Sequence, residues 1–181
     1  WAMANTPYDY TFYMDSDMEI IHEEIINVFD RLENNDLVFV ELKRETQQHF
    51  AMWEWGSGKI DHLTHCGGVC LYKSSNPLVR EFMMDWYYMH LDIRVGKNLP
   101  KECKSVPKKF YLWDQLTLWW LLWYSEKYKK LKWKFFEDNY RWNYYSSFGV
   151  NSDGTHNYGV SDPVIIHHSS TLDKTGQKGY L

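Results

Sequence analysis

The chain has 181 residues, a formal net charge of −4 and a hydrophobic share of 44%. That length gives one domain a full core, and the acidic balance argues against a general nucleic-acid binder. Without a stretch of eighteen apolar residues it offers no membrane span, and its three cysteines make no disulfide framework.

Residues 8–14 predict a strand, because Thr11, Phe12 and Tyr13 are β-branched or aromatic. The run stops at Asp15-Ser16-Asp17. "EIIHEEIINVFDRLE" follows, with apolar residues at 20, 21, 25, 26, 28, 29 and 32, a helical stripe. "NND" turns the chain into a short strand, 37–42. Residues 49–58 predict another strand that closes in a Gly-Ser-Gly loop. Residues 65–74 predict a strand entered through Gly67 and Gly68. Asn76 then caps a helix whose first residue is Pro77. Residues 93–109, rich in Lys, Pro and Gly, predict an exposed loop. A second long helix covers 113–130; Asp114 and Gln115 interrupt its apolar run, which marks it as a buried helix. Residues 131–137 predict a strand and 138–149 an aromatic loop. "PVIIHHSS", 163–170, is a last strand, and 171–181 form a polar Gly/Lys tail. Strands and helices alternate without a repeat or linker. The class is therefore α/β, a mixed, mostly parallel sheet flanked by helices, in one domain over residues 1–181.

Asp15 and Asp17 project to the same side of an extended backbone, about 6–7 Å apart at their Cα atoms. Two like charges so close repel unless a cation or solvent intervenes. Mg²⁺ or Mn²⁺ accepts carboxylate oxygens and leaves positions for phosphate oxygens. The plainer reading is a turn whose Asp caps a helix starting near Glu19. The triplet alone leaves both open. The aromatic share of 18% has the same two sides. Flat rings stack on sugars and bases, and they also fill cores. The basic run from Lys127 to Phe136 reads as a solvated helix end followed by an edge strand. Cys66 and Cys70 sit about 13 Å apart on one strand, too far to bridge, and read as core residues in a reducing compartment. In open α/β sheets ligands collect at the carboxyl ends of strands. The Asp pair and His167-His168 fall at such ends, with the Gly67-Gly68 strand entry nearby.

These parts, in this order, resemble the nucleotide-sugar-dependent glycosyltransferases of the A-type fold, above all the retaining glycogenin-like and plant xylosyl/galactosyltransferase families. "FYMDSD" is similar to the strand and DxD motif of those enzymes. "CGGVCLYKSSNPLVREFMMDW" resembles their glycine-started strand and helix, "LWDQLTLWWLL" their acidic helix start, and "RWNYY" their aromatic-Asn turn. "PVIIHHSS" resembles the closing strand whose His completes a metal site. The resemblance covers roughly residues 8–180. It departs at Cys66, where the pattern has Asn. It also departs in the spacing after His167, which leaves the phosphate-binding lysine open between Lys174 and Lys178. The βαβ unit that grips the base in such folds has no counterpart before the motif, and Trp1 is not a natural start. Either the sequence is a fragment of a longer chain, or the base is held in some reduced way; if the unit is truly absent, one sheet edge is expected to be left open and covered by a partner segment or a second copy.

The resemblance implies a metal-dependent transfer of a sugar from a nucleoside-diphosphate sugar to a glycan or other hydroxyl acceptor, with retention. Asp15, Asp17 and His167 would hold Mn²⁺ or Mg²⁺. Lys174 or Lys178, with Gly176, would meet the diphosphate, and Gly67 and Gly68 would let the backbone approach the sugar. Asp114 would face the reacting carbon with Gln115 beside it; the plainer role of Asp114 is a helix cap. Trp142, Asn143, Trp53 and Trp55 are candidate acceptor walls, or core filler. No nucleic acid or transmembrane segment is implied, and the expected compartment is cytoplasmic, or the Golgi lumen given an upstream anchor. A glycosidase is excluded because two carboxylates on one strand side cannot flank a bond. A metal-dependent phosphotransferase would want a Gly-rich phosphate loop before a helix. A non-catalytic carbohydrate-binding or degenerate transferase module is the alternative that stays.

Overall fold

The structure is a computed structural model that describes residues 1–41, 65–145, 152, 160 and 162–168. Its centre is a four-stranded sheet. β1 spans Thr11–Met14, β3 spans Leu37–Glu41, β4 spans His65–Tyr72 and β5 spans Trp133–Phe135, in the order β1-β4-β3-β5. Alternation decides which side each residue takes. Leu37, Phe39, Cys70 and Tyr72 face one core, and Val38, Val40, Val69 and Leu71 face the other.

Helix α1, Pro77–Arg94, and helix α2, Asp114–Trp123, cover the first face with Val79, Phe82, Met83, Trp86, Leu118 and Leu121. Asn76 caps α1 by accepting the Leu78 N–H at 3.0 Å, as its sequence predicts. Covering the second face are Val28 and Leu32 of a 3₁₀ helix, Glu23–Leu32, and a three-stranded sheet. That sheet has the order β2-β7-β6, with β2 at Met18–Ile20, β6 at Tyr144–Tyr145 and β7 at Ile165–His167. A four-residue helix α3, Asn139–Trp142, leads into β6.

The mixed α/β class and its flanking helices are as expected. The parallel bias is not: among the described residues the ladders of β1, β3 and β2 with their partners β4, β4 and β7 are antiparallel, and β3–β5 and β6–β7 are parallel. Apolar alternation sets a strand's faces and carries no direction, so the sequence could not settle this.

The helix expected from residue 19 starts at Glu23, because Met18–Ile20 join the β7 ladder instead. Its stripe is only half used, with Val28 and Leu32 buried and Ile26 79% exposed. Residues 93–109 are not an exposed loop throughout. Ile93, Cys103, Val106 and Phe110 pack with Leu116 and Trp119 in a separate small core. The 138–149 loop contains α3 and β6. The strand expected at 49–58 lies outside the described residues. Cys66, Cys70 and Cys103 are buried and free. The basic run ends in β5, an edge strand among the described residues, as expected; Lys127 bridges Glu81 and Asp85 at the surface, while Tyr128, Leu131 and Phe136 of the same run are buried. No helix among the described residues is long and apolar enough to cross a membrane.

Candidate functional site

At the end of β1 the chain makes a tight turn. The Asp15 N–H donates to the Gly68 carbonyl at 2.9 Å, and the Met18 N–H to the Asp15 carbonyl at 3.2 Å. Tyr13, two residues back on the same side of the strand, donates its hydroxyl to Asp15 Oδ1 at 2.7 Å. After the turn β2 pairs with β7, Met18 opposite His167. The His168 N–H reaches the Asp17 carbonyl at 2.8 Å.

This ladder brings together side chains from opposite ends of the sequence. Ligand-capable atoms of Asp15, Asp17 and His167 lie within 4.8 Å of one another. His167 Nε2 is 3.4 Å from Asp17 Oδ2. Burial lowers the His167 pKa, against the pull of Asp17 and Asp15, so the ring is held towards its neutral, lone-pair-bearing form. Among the described residues no ammonium or guanidinium pairs with either aspartate. Two oxygen donors and one imidazole fit a hard or borderline divalent cation, which would also offset the convergence of like charges. His168 stands apart from this cluster, 3.0 Å from Glu19.

The two glycines sit at an irregularity of the central strand. Between Phe39 and Val40 the β3–β4 register slips from Cys70 to Cys66, so β4 bulges across residues 67–69. The bulge sits under two carboxylates. A Cβ on Gly68 would lie 2.7 Å from Asp15 Oδ2, and one on Gly67 would lie 2.6 Å from Asp114 Oδ2. Each glycine is therefore the floor on which one acid rests.

Asp114 opens α2 and takes backbone N–H groups of Gln115 and of itself. Burial, then the negative charge of Asp15, pushes its pKa up to about 6, and those N–H donors limit the rise. Trp86 from α1 donates its indole N–H to the Asp114 carbonyl at 3.1 Å. A pocket of about 180 Å³ opens here, lined by Tyr13, Gly67, Met83, Trp86, His90 and Asp114 among others. It lies on the first face of the sheet, next to the acid cluster.

Of the expected residues, Asp15, Asp17, His167, Gly67, Gly68 and Asp114 converge. Gln115 follows Asp114 on the helix but is not on the pocket wall. Lys174, Gly176 and Lys178 lie outside the described residues, as do Trp53 and Trp55. Trp142 is no acceptor wall: it is fully buried and stacks on Phe136 at 4.8 Å. Tyr13, Trp86 and His90 had not been expected here. Only Tyr13 carried a signal, its two-residue spacing from Asp15.

No family model matches the sequence, and no curated protein matches it. Among solved structures the chain is similar to that of the galactosyltransferase LgtC in complex with donor and acceptor sugar analogs. The identity is 13% and the TM-score 0.50, over 94% of this chain and 57% of that one. The chain thus spans a little over half the length of that enzyme. At this identity the likeness speaks for the fold, and it agrees with the mixed α/β arrangement of an A-type glycosyltransferase.

Proposed function

We propose that this chain transfers a sugar from a nucleoside-diphosphate sugar to a hydroxyl acceptor, with retention of configuration. The carrying observation is the convergence of Asp15, Asp17 and His167 beside Asp114 and its pocket. Mn²⁺ or Mg²⁺ held by Asp15, Asp17 and His167 would supply Lewis-acid stabilisation of the leaving diphosphate. The A-type fold, found in a galactosyltransferase solved with donor and acceptor analogs, supports this reading.

The chain's own groups have separable tasks. Tyr13 holds one oxygen of Asp15 and so orients the other. Gly67 and Gly68 let both acids sit close to the strand. Asp114 is largely ionised above its pKa of about 6 and would face the positive charge that develops at the reacting carbon. Trp86 offers an apolar face to one side of a sugar ring. Lys174 or Lys178, near Gly176, would pair with the diphosphate. The acceptor is a glycan or another hydroxyl compound. Among the described residues β1 ends the four-stranded sheet, and such an edge suits a second copy or a partner segment. The buried free cysteines fit a reducing compartment such as the cytoplasm.

Calorimetry of Mn²⁺ with UDP tests the core of this reading. Wild type should bind the two cooperatively, and Asp17→Ala should abolish that binding without lowering the melting temperature, because Asp17 is exposed. Equal binding by both proteins would overturn the assignment. Cooperative binding without turnover of any UDP-sugar would make the chain a binding module rather than a transferase.

A further inference from the structure

We propose that Asn143 is a positioning residue for His167, and that Cys66 and Tyr145 set the way its amide points. The inference rests on the metal reading above, but its geometry is separate. His167 turns Nε2 towards Asp17, and its other nitrogen, Nδ1, lies 3.0 Å from Asn143 Oδ1. A neutral imidazole carries one proton. If Nδ1 holds it and donates to the amide oxygen, Nε2 keeps its lone pair for a cation. If the amide were reversed, its N–H₂ would meet Nδ1, the proton would move to Nε2, and the ring could not ligate from that side.

Three contacts choose between these arrangements. Asn143 Nδ2 lies 3.4 Å from Cys66 Sγ. Asn143 and Cys66 are each 3% exposed, so bulk solvent does not reach the contact. Cys66 Sγ also accepts the Gly68 N–H. The Tyr145 hydroxyl hydrogen-bonds to both Cys66 and Asn143, and its ring stacks on His167 with centroids 4.5 Å apart and planes 23° apart. The amide nitrogen therefore faces sulfur and phenol, and its oxygen faces the imidazole.

The backbone supports the same placement. Trp142 anchors the end of α3 in the core, Asn143 follows it, and Tyr145 pairs with His167 in the β6–β7 ladder. This gives Cys66 a task at the position where the family pattern has Asn. A small, buried thiol leaves room for the Asn143 amide and holds its nitrogen end.

Imidazole ¹⁵N spectra of the protein saturated with Mg²⁺ and UDP, with His167 assigned from a His167→Gln sample, test this without any variant of Asn143, because without a cation the Asp17 carboxylate at 3.4 Å competes for a proton on Nε2. The expected result is a proton on Nδ1 and an unprotonated Nε2. A proton on Nε2 would overturn the inference. Calorimetry of Mn²⁺ in the presence of UDP adds a second arm. Asn143→Leu should weaken Mn²⁺ by about 10–100-fold, whereas Asn143→Asp, which keeps an acceptor for Nδ1–H, should stay within about threefold of wild type. Equal affinity for Leu and wild type would sink the positioning role and leave the metal site standing. A wild type that binds no Mn²⁺ would instead remove the functional reading, and the positioning role with it.

Discussion

The two sheets divide the work of this molecule. The four-stranded sheet has an eight-residue central strand, and Leu37, Val38, Phe39 and Val40 beside it are at most 1% exposed. The three-stranded sheet has strands of two or three residues, and two of the three in β2 are exposed. The inner strands of the first sheet carry the deepest burial, and the site forms where the two sheets meet, with Asp15 and the Asp114 pocket against the first and His167 on the second. The small sheet holds Asp17 beside His167, and through β6 it brings Asn143 up behind the imidazole. The two meet at the Gly67-Gly68 bulge, where β4 gives up regular pairing and the acids rest on its backbone. A site built from short ladders against a heavily buried sheet can change its side chains without spending much of the fold's stability.

Three substitutions probe that division, beginning with the largest effect. Phe39→Ala empties a fully buried site between the sheet and α1, where Phe39 lies edge-on to Trp86. It should cost about 3–5 kcal/mol in denaturant unfolding. Under conditions where the variant is folded, its Mn²⁺–UDP affinity should match wild type; a large loss there would break the separation of core from site.

Asp114→Asn should lower sugar transfer by about a hundredfold, if the charge supplies about 3 kcal/mol at the transition state. Its effect on stability should run the other way. Burial and Asp15 raise the folded-state pKa of Asp114 to about 6. An acid whose folded pKa is raised stabilises the fold below its unfolded pKa, near about 4, and loses that contribution as pH rises through about 6. At pH 8 the ionised side chain is a burden of up to about 2–3 kcal/mol. The Asn variant escapes it, so it should melt higher than wild type at pH 8, with the gap closing towards pH 4. Equal turnover and parallel melting curves would return Asp114 to an ordinary helix start.

Gly68→Ala is the mildest of the three. The new Cβ meets Asp15 Oδ2 and Met18 Cε, both free ends of side chains, at 2.7 Å. The fold should give way for about 1 kcal/mol. The Asp15 carboxylate, pushed off its position, should bind Mn²⁺ about tenfold more weakly, a figure equivalent to about 1.4 kcal/mol. A tenfold loss with a nearly unchanged melt would sharpen the contrast between the sheets, and an unchanged affinity would show that the bulge does not place Asp15.

The same contrast explains what could be read from the sequence. β3, β4 and α1 were legible because long apolar runs and an Asn-Pro start leave few alternatives. β2 was not. Glu19, Ile20 and Ile21 continue a helical stripe that local preference favours, and only the distant β7 strand pulls them into a ladder. Asp15, Asp17 and His167 were legible as chemistry, because an acid pair after a strand and a His at the end of another point to strand ends. Their meeting was a tertiary fact. Gly67 and Gly68 could be seen to matter, but their true neighbours, Asp114 and Asp15, could not be inferred from residue type. Asn143 and Cys66 were visible as residues, but their contact with each other and that of Asn143 with His167 were hidden for a related reason: each partner lies many residues away.

The β2–β7 ladder also sets when this site can exist. Glu19 and His168 touch across a sequence separation of 149 residues. Contacts of that span pay their loop-closure cost before any pairing energy is returned. On the ribosome, β1 and the Asp turn emerge long before β7, so nascent chains carry the acids without the histidine. A cation that needs all three ligands would bind only once β7 has joined β2. Mn²⁺ would then favour molecules with that ladder formed over partly folded ones by mass action, and the time at which bound metal appears during refolding would mark closure of the β2–β7 ladder.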